Sequence, residues 1–193
     1  HHDEFLEFQI RHVPGGYFTS IVFDELKEKA LIRIEGPLGT FYLREDNDDP
    51  IIMMAGGTGM APLRGMLLHI FDTGIKRPVH LFWGARAKKD IYLQEEIDQW
   101  LKDHPQLTFT PVLSDPDPAD NWQGETGWVH EAVTRAYPDM SGYEVYMSGP
   151  PPMIFAAKDA FHECGLPENK VFSDAFDFAD DPGVPAAVKE GKV

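Results

Sequence analysis

The clearest indication of the fold class comes from the stretch Ile51-Ile52-Met53-Met54-Ala55-Gly56-Gly57-Thr58-Gly59-Met60-Ala61-Pro62. The first five residues of this stretch are all apolar, which is typical of a β-strand that is buried on both faces. Three glycines follow, and apolar residues then recur at helical spacing from Met60 to Phe71. A strand, a glycine-rich turn and a helix in this order form the first half of a βαβ unit, so the stretch predicts a parallel sheet.

Strands and helices continue to alternate after this stretch. The residue pattern predicts strands at 79–83, 107–113, 143–147 and 170–172, and helices at 91–101, 128–137 and 153–164. Strands separated by helices of this length predict an α/β fold, a doubly wound parallel sheet with right-handed crossovers. We assign residues 48–178 to this domain, and we expect the proline-containing tail at 179–193 to be flexible.

The segment before this domain, residues 1–47, has a different pattern. It predicts strands at 5–11 and 30–35 and, between them, a short helix that Thr19 or Ser20 caps. Because so few elements cannot enclose a core of their own, we interpret the segment as the C-terminal part of a β-domain.

The sequence at each end of this segment predicts a further feature of the chain. The chain begins His1-His2-Asp3 without a methionine, so we expect the N-terminal part of the β-domain to be missing. At the other end, the charged stretch 44–50 ends in proline and separates the two patterns. We therefore expect it to be an exposed boundary between two domains.

Composition excludes several classes of function. The chain has 193 residues, with 17 basic and 32 acidic side chains and a net charge of −15. Phosphate backbones and anionic lipids repel so acidic a protein, so neither nucleic acid nor a membrane is expected as a partner. The single cysteine, Cys164, allows no intrachain disulfide and cannot alone ligate an iron–sulfur cluster, which favours a reducing, cytoplasmic setting. The histidines lack the spacing of metal ligands, so no metal site is predicted.

The glycine-rich turn is the strongest site signal. It stands where a buried strand ends and a helix begins, where free backbone N–H groups and the helix dipole favour a phosphate. Glycine also lets a ligand approach the backbone closely. The order of the glycines matches neither the Gly-x-Gly-x-x-Gly fingerprint nor a P-loop. On residue chemistry alone, an ordinary βα turn remains the alternative.

Four motifs in this order resemble those of the ferredoxin–NADP reductase superfamily. They are Gly36-Pro37-x-Gly39-x-Phe41, Gly56-Gly57-Thr58-Gly59-x-x-Pro62, Trp83-Gly84-Ala85-Arg86-x-x-x-Asp90-x-Tyr92 and Ser148-Gly149-Pro150-Pro151-x-Met153. They are similar, in turn, to the family's last flavin-barrel segment, its nucleotide loop, its second nucleotide-contacting strand end and its Cys-Gly-Pro-Pro-x-Met turn. The similarity covers 5–178 and is strongest to NAD(P)H-flavin reductases and the CDP-6-deoxy-glucoseen reductase type.

The resemblance implies a fold and an activity. Residues 1–47 would be the C-terminal part of an antiparallel FAD-binding β-barrel, and 48–178 an NAD(P)-binding domain. The implied activity is that of a flavin-dependent NAD(P)H oxidoreductase with FAD and NAD(P)H as cofactors. Electrons would pass on to an acceptor, namely an iron–sulfur protein or domain, free flavin or another acceptor. The alternatives are a non-catalytic module that senses NAD(P)H or docks a partner, and an unrelated α/β enzyme with an accidental glycine loop.

The resemblance also implies the site residues. The nucleotide-binding set is Gly56, Gly57, Thr58, Gly59, Pro62, Arg86, Tyr92, Gly149, Pro150 and Met153. The flavin-binding set is Gly16, Thr19, Ser20, Gly36, Gly39 and Phe176, and the residues beside the reacting rings are Ser148 and Phe176. The family's Arg-x-Tyr-Ser flavin motif, which would precede Phe5, is absent from this chain.

For several of these residues a plainer interpretation stays open. Thr19 or Ser20 can simply be an N-cap, and Arg86 a solvated surface residue. Phe176 can serve packing instead of stacking, with Phe172 and Phe178 as further candidates. Ser148 stands where the family has cysteine, so a thiol contribution is in doubt, although the transferred hydride belongs to the cofactors.

The preference between NADH and NADPH is suggested by a local charge cluster. Arg86, Lys88 and Lys89 lie close to the end of the second predicted strand, and the first acidic residue, Asp90, comes after them. Basic groups at this position accept a 2′-phosphate, whereas a carboxylate rejects it. The sequence therefore predicts use of both nucleotides.

Overall fold

A parallel sheet of six strands forms the centre of the structure, a computed structural model that describes residues 5–175. In chain order the strands are β1 (Ile51–Gly56), β2 (Val79–Ala85), β3 (Leu107–Leu113), β4 (Glu125–Thr126), β5 (Glu144–Gly149) and β6 (Val171–Ala175). Their order across the sheet is β4-β3-β2-β1-β5-β6, and every neighbouring pair is parallel. The predicted doubly wound parallel sheet is confirmed.

The helices lie on both faces of this sheet. They are α1 (Tyr17–Ser20), α2 (Met60–Thr73), α3 (Gln94–Asp103), α4 (Val129–Ala136) and α5 (Pro151–Glu163). Buried side chains of α2 and α3 pack on one face with those of Met53, Leu81 and Tyr146. Buried side chains of α4 and α5 pack on the other face with Met54, Phe82 and Met147. Successive residues of a strand therefore belong to opposite layers, as the pleat requires.

The predicted elements of the α/β domain agree with the structure to within a few residues. The largest difference is the helix expected at 91–101, which begins at Gln94. The chain first forms a 3₁₀ turn at Lys88–Asp90, where the Asp90 carboxylate accepts a hydrogen bond from the Ala87 N–H at 3.0 Å. The sequence pattern missed β4, because a strand of two residues carries no alternation.

The strands expected at 5–11 and 30–35 are not formed. A strand needs a neighbouring strand for its backbone N–H and C=O groups, and no strand within 5–175 pairs with either segment. Their apolar side chains are correspondingly exposed, Phe5 and Leu31 among them. The short helix does form, as α1 followed by a π-helical turn at Ile21–Glu25, but its N-cap is Gly16 and not the expected Thr19 or Ser20.

The stretch 44–50 is only partly exposed, and its role as a boundary between two domains stays a prediction. Asn47, Asp49 and Pro50 are half-buried. The guanidinium of Arg77 donates to the carbonyl oxygens of Arg44 and Asp49, at 2.8 and 2.6 Å. The stretch is therefore held against the sheet. Within 5–175, no helix combines the length and the apolar character that crossing a bilayer requires.

Candidate functional site

The carboxyl ends of β1 and β5 meet at the point where the order of the strands reverses. From β1 the chain crosses through α2 to β2 on one side, whereas β5 leads through α5 to β6 on the other. Gly56 ends β1 and Gly149 ends β5, and Ala55 lies opposite Ser148 in the ladder. Open α/β sheets bind their ligands in the crevice at such a switch point, so this is the candidate site.

The glycine loop enters the crevice between β1 and α2. Its residues Gly57–Gly59 form a 3₁₀ turn that leads directly into α2, and no side chain of the described residues caps either N-terminus. Gly57 has a φ of +54°, and a Cβ at this position would have no described atom within 4 Å. Since uncapped N–H groups at a helix start attract anions, the open position at Gly57 fits a phosphate.

The other glycines of the crevice allow close packing of the chain on itself. A Cβ on Gly59 would lie 2.0 Å from the carbonyl oxygen of Ser148, and one on Gly149 would lie 3.0 Å from the carbonyl oxygen of Gly56. A Cβ on Gly56 would lie 2.6 Å from Met153 Sδ. These glycines, with Met153, bring the loop after β1 against the turn after β5. Their direct contact with a nucleotide stays a prediction.

Trp83 supports the loop from β2. Its side chain is fully buried, and its indole N–H donates to the carbonyl oxygen of Gly57 at 3.0 Å. The indole packs edge-on against Tyr92, with ring centroids 5.0 Å apart. From the sequence, Trp83 was recognised only as part of a motif, and its support of the glycine loop was not predicted. The sequence did contain one indication of this role: a tryptophan at the end of an apolar strand is expected to be buried, and a buried indole N–H needs a hydrogen-bond acceptor nearby.

Ser148 is the buried polar group of the crevice. It is completely shielded from solvent, and its hydroxyl has no hydrogen-bond partner among residues 5–175. By strand alternation it faces the same layer as Tyr146, and it is paired in register with Asp174 of β6. An unpaired buried hydroxyl is costly, so this position suits a bound group that supplies the partner. Phe176, the other residue expected here, lies outside the described residues.

Arg86 and Tyr92 follow β2, as expected, but each has a protein partner. Arg86 is 70% exposed and forms an ion pair with Asp115 at 3.2 Å. The Tyr92 hydroxyl donates to the side-chain carbonyl of Gln9. Burial raises the pKa of Tyr92 to about 12, with Arg64 lowering that pKa and Glu7 raising it. Their contact with a nucleotide stays a prediction.

Thr58, Pro62 and Pro150 occupy the expected connections. Thr58 is the middle residue of the 3₁₀ turn, and Pro62 lies in the first turn of α2. Pro150 is the N-cap of α5, with proline again at the first position of that helix. Proline is favoured at the start of a helix because it has no N–H to leave unpaired there. Pro62 and Pro150 therefore fit the two strand-to-helix turns that form the crevice.

The flavin-side residues lie on two separate segments. The Thr19 hydroxyl donates to the carbonyl oxygen of Val13 at 3.1 Å and accepts from the Val13 N–H at 3.2 Å, so it closes a turn before α1. Gly16 precedes that helix, and Ser20 ends it. A Cβ on Gly36 or Gly39 would have no described atom within 4 Å. This arrangement leaves backbone accessible to a ligand, which is compatible with a flavin nucleotide.

A cluster that the sequence did not predict joins the N-terminal segment to the domain. Arg64 of α2 donates to both carboxylate oxygens of Glu96 in α3, at 2.9 and 2.8 Å, and pairs with Glu7 at 3.2 Å. Together with the contact between Tyr92 and Gln9, this cluster places the segment near 7–9 beside the helix that begins at the glycine loop.

Known proteins share both parts of this chain. Residues 53–159 match the family described as oxidoreductase NAD-binding domain, and residues 1–42 match the family described as oxidoreductase FAD-binding domain. The resemblance inferred from the four motifs is thereby confirmed. The family match at 1–42 falls within the segment 1–47 that was assigned to an FAD-binding domain, although the strands expected at 5–11 and 30–35 are not formed. The domain bounds 1–47 and 48–178 stay predictions.

Individual known proteins are also similar to this chain. The chain is 44% identical over 171 residues to the CDP-6-deoxy-L-threo-D-glycero-4-hexulose-3-dehydrase reductase of Yersinia pestis, covering 89% of this chain and 51% of that protein. It is 35% identical over 174 residues to the reductase component of the naphthalene 1,2-dioxygenase/salicylate 5-hydroxylase systems of Ralstonia sp, covering 90% and 52%. The solved structure of the Amycolatopsis cytochrome P450 reductase GcoB superposes with a TM-score of 0.76 at 34% identity, over 86% of this chain and 50% of that one. The chain thus spans about half the length of the curated relatives it matches.

Proposed function

Because the chain belongs to the ferredoxin reductase-like oxidoreductases with FAD-binding and NAD-binding domains, we propose that it is part of an NAD(P)H-dependent flavin reductase. When both cofactors are bound, NAD(P)H supplies a hydride and FAD accepts it, and the electrons leave for a separate acceptor. The protein's own task is to bind the two cofactors and to hold their rings in a reactive orientation.

One observation carries the nucleotide half of this proposal. At the switch point of the sheet, the open, left-handed position at Gly57 directly follows β1. The neighbouring strand β5 carries the buried hydroxyl of Ser148, which has no hydrogen-bond partner among residues 5–175. The loop N–H groups bind the pyrophosphate, and Trp83 holds the loop in place through the Gly57 carbonyl. The Ser148 hydroxyl would hydrogen-bond the nicotinamide end, at a position that is shielded from water.

The adenosine end is proposed to lie near Arg86. This guanidinium is exposed at the end of β2, beside Lys88 and Lys89 in the following turn. Arginine binds phosphate in a bidentate manner, which supports acceptance of NADPH as well as NADH. Asp115 competes for the same guanidinium, so NADPH gains less from Arg86 than it would from an unpaired arginine.

For the acceptor we propose an iron–sulfur protein or domain. The relative from Ralstonia is named a ferredoxin–NAD(P)(+) reductase component. The single cysteine of this chain cannot hold such a cluster by itself. Free flavin is the alternative acceptor, and a non-catalytic NAD(P)H-sensing module is the alternative function.

Anaerobic mixing with NADH tests the proposal. In the protein loaded with FAD, the yellow absorbance of the oxidised flavin is expected to bleach within one turnover. Adding an oxidised [2Fe–2S] ferredoxin should then restore the colour faster than adding free FMN does. NADH binding by calorimetry without bleaching would support the sensing module instead. Faster reoxidation by FMN would replace the iron–sulfur acceptor with free flavin.

A further inference from the structure

We infer that Arg77, Glu144 and Lys170 are positioning residues, which lock segment 41–50 to the sheet and so fix the FAD-binding part relative to the nicotinamide position at Ser148. This inference rests on the proposed function. It starts from a buried ion pair at the end of the sheet opposite the crevice. Arg77 precedes β2, Glu144 begins β5 and Lys170 precedes β6.

The ion pair itself is almost fully buried. Arg77 Nη2 donates to Glu144 Oε2 at 2.6 Å, and the two side chains are 5% and 2% exposed. Burying two charges is expensive unless every remaining donor is satisfied. Two further donors of Arg77 bind the connecting segment, because Nε donates to the carbonyl oxygen of Asp49 and Nη1 to that of Arg44. One guanidinium therefore holds the segment at two points five residues apart.

Further contacts tighten the same segment. The Asn47 side-chain amide donates to Glu144 Oε1 at 2.7 Å. Lys170 Nζ donates to the Asp49 carboxylate at 2.6 Å and lies 3.7 Å from Glu144 Oε1. These partners raise the pKa of Lys170, and the largest cause is the hydrogen bond that its ammonium group donates to Asp49. We call the set of Arg77, Glu144, Lys170, Asp49 and Asn47 the clasp.

Tyr146 connects the clasp to the candidate site. The Tyr146 hydroxyl donates to Glu144 Oε2 at 3.0 Å and accepts from the Arg44 N–H at 2.9 Å. Its ring packs against Phe41, with centroids 6.3 Å apart, and stacks on Phe172 at 5.0 Å. Tyr146 is two residues before Ser148 on the same face of β5. The segment that follows the FAD-binding residues thus contacts the strand that presents Ser148.

This connection matters because hydride transfer is sensitive to distance. Reacting atoms must approach to roughly 3–3.5 Å, and a misplacement of about 1 Å can cost on the order of 100-fold in rate. A freely moving linker would leave that distance undefined. Charge-assisted hydrogen bonds have preferred distances and angles, whereas apolar burial is non-directional. The clasp therefore defines one position for the segment.

The test compares two lysine variants. Lys170→Met removes the outer contacts of the clasp and leaves the buried Arg77–Glu144 pair intact, so folding should survive. Lys158→Met is the matched control, because Lys158 forms only a partly exposed pair with Glu168 at 3.6 Å. Arg77→Met is the stronger perturbation, and Lys170→Arg is the conservative rescue.

The first readout needs no flavin. In Lys170→Met, amide hydrogen exchange at residues 42–50 should become about tenfold faster, while NADH affinity measured by calorimetry stays within about twofold. The second readout uses the protein with its complete FAD-binding domain. There, the rate of flavin reduction should fall by about tenfold with NADH affinity retained, and Lys170→Arg should restore the rate.

The outcomes separate this inference from the proposed function. Unchanged exchange at 42–50, an unchanged reduction rate, or a parallel loss of rate and NADH affinity would overturn the positioning role. A wild-type protein that binds FAD and NADH but never reduces the flavin would instead overturn the proposed function. The exchange measurement would still decide whether the clasp holds the segment.

Discussion

Replacing Gly57 with alanine separates ligand contact from backbone strain. Gly57 and Gly74 both have positive φ, +54° and +72°, and a Cβ at either position meets no described atom within 4 Å. A non-glycine residue in the left-handed region costs about 1–2 kcal/mol. Both Gly57→Ala and Gly74→Ala should therefore lower the free energy of unfolding by this amount. For a chain of this size, that corresponds to a decrease in Tm of about 2–8 °C.

Only Gly57→Ala should weaken nucleotide binding. Its methyl group would occupy the space through which a phosphate approaches the loop N–H groups, whereas Gly74 lies at the other end of α2, about 20 Å away. Losing one charge-assisted hydrogen bond costs about 1.5–3 kcal/mol, so the NAD(P)H dissociation constant should rise about 10- to 100-fold. Calorimetric titration of both variants measures the difference.

A third variant completes the comparison. In Gly59→Ala the new Cβ would lie 2.0 Å from the Ser148 carbonyl oxygen, so this change should damage folding more than binding. Equal NAD(P)H affinity in folded Gly57→Ala and Gly74→Ala would refute the assignment of the loop as the phosphate site. Equal stability of Gly59→Ala and Gly57→Ala would refute the division of the glycines into packing and ligand positions.

Three further predictions address other parts of the molecule. Arg86→Ala should weaken NADPH binding by about 1.5–3 kcal/mol and NADH binding less, whereas Asp115→Asn should strengthen NADPH binding. Parallel changes for both nucleotides in steady-state kinetics would contradict this role of Arg86. Trp83→Phe should weaken NAD(P)H binding by about 0.5–1.5 kcal/mol through loss of the hydrogen bond to the Gly57 carbonyl, and calorimetry measures the loss. Burial lowers the pKa of His80 to about 4, so between about pH 6.5 and 4 this side chain binds more protons in the unfolded chain than in the folded protein. The Tm should therefore fall as the pH decreases through this range. A His80→Gln variant with the same pH dependence of Tm would show that another group is responsible.

Local signals made the α/β domain predictable from the sequence. The apolar run at Ile51–Ala55 and the helical spacing after it depend only on neighbouring residues, and the structure places β1 and α2 there. The segment at 5–11 is also rich in strand-forming residues, but a strand needs a pairing partner as well, which the local pattern alone does not supply. The clasp was unpredictable for a related reason, since Arg77 and Glu144 are 67 residues apart in sequence.

The candidate site was predictable only in part. The glycine turn with Gly57 was identified from its position between a buried strand and a helix, and Ser148 through a resemblance to a family; the structure brings their strand ends together. The separate tasks of Gly57 and Gly59 were not visible, because a sequence gives no distances between backbones. The support from Trp83 and the pairing of Arg86 with Asp115 also depend on contacts between separate strands.

The pairing of β1 with β5 restricts where the chain length can change. Side chains alternate between the two layers, so one residue inserted between Glu144 and Tyr146 would turn the hydroxyl of Ser148 towards the layer of α4 and α5. The same insertion would separate Tyr146 from the clasp. Between β3 and β4, by contrast, residues 114–124 are mainly exposed or half-buried, so extra residues there would leave the sheet register unchanged. Relatives that retain the crevice should therefore vary in length at this loop and keep the count from Glu144 to Gly149 constant.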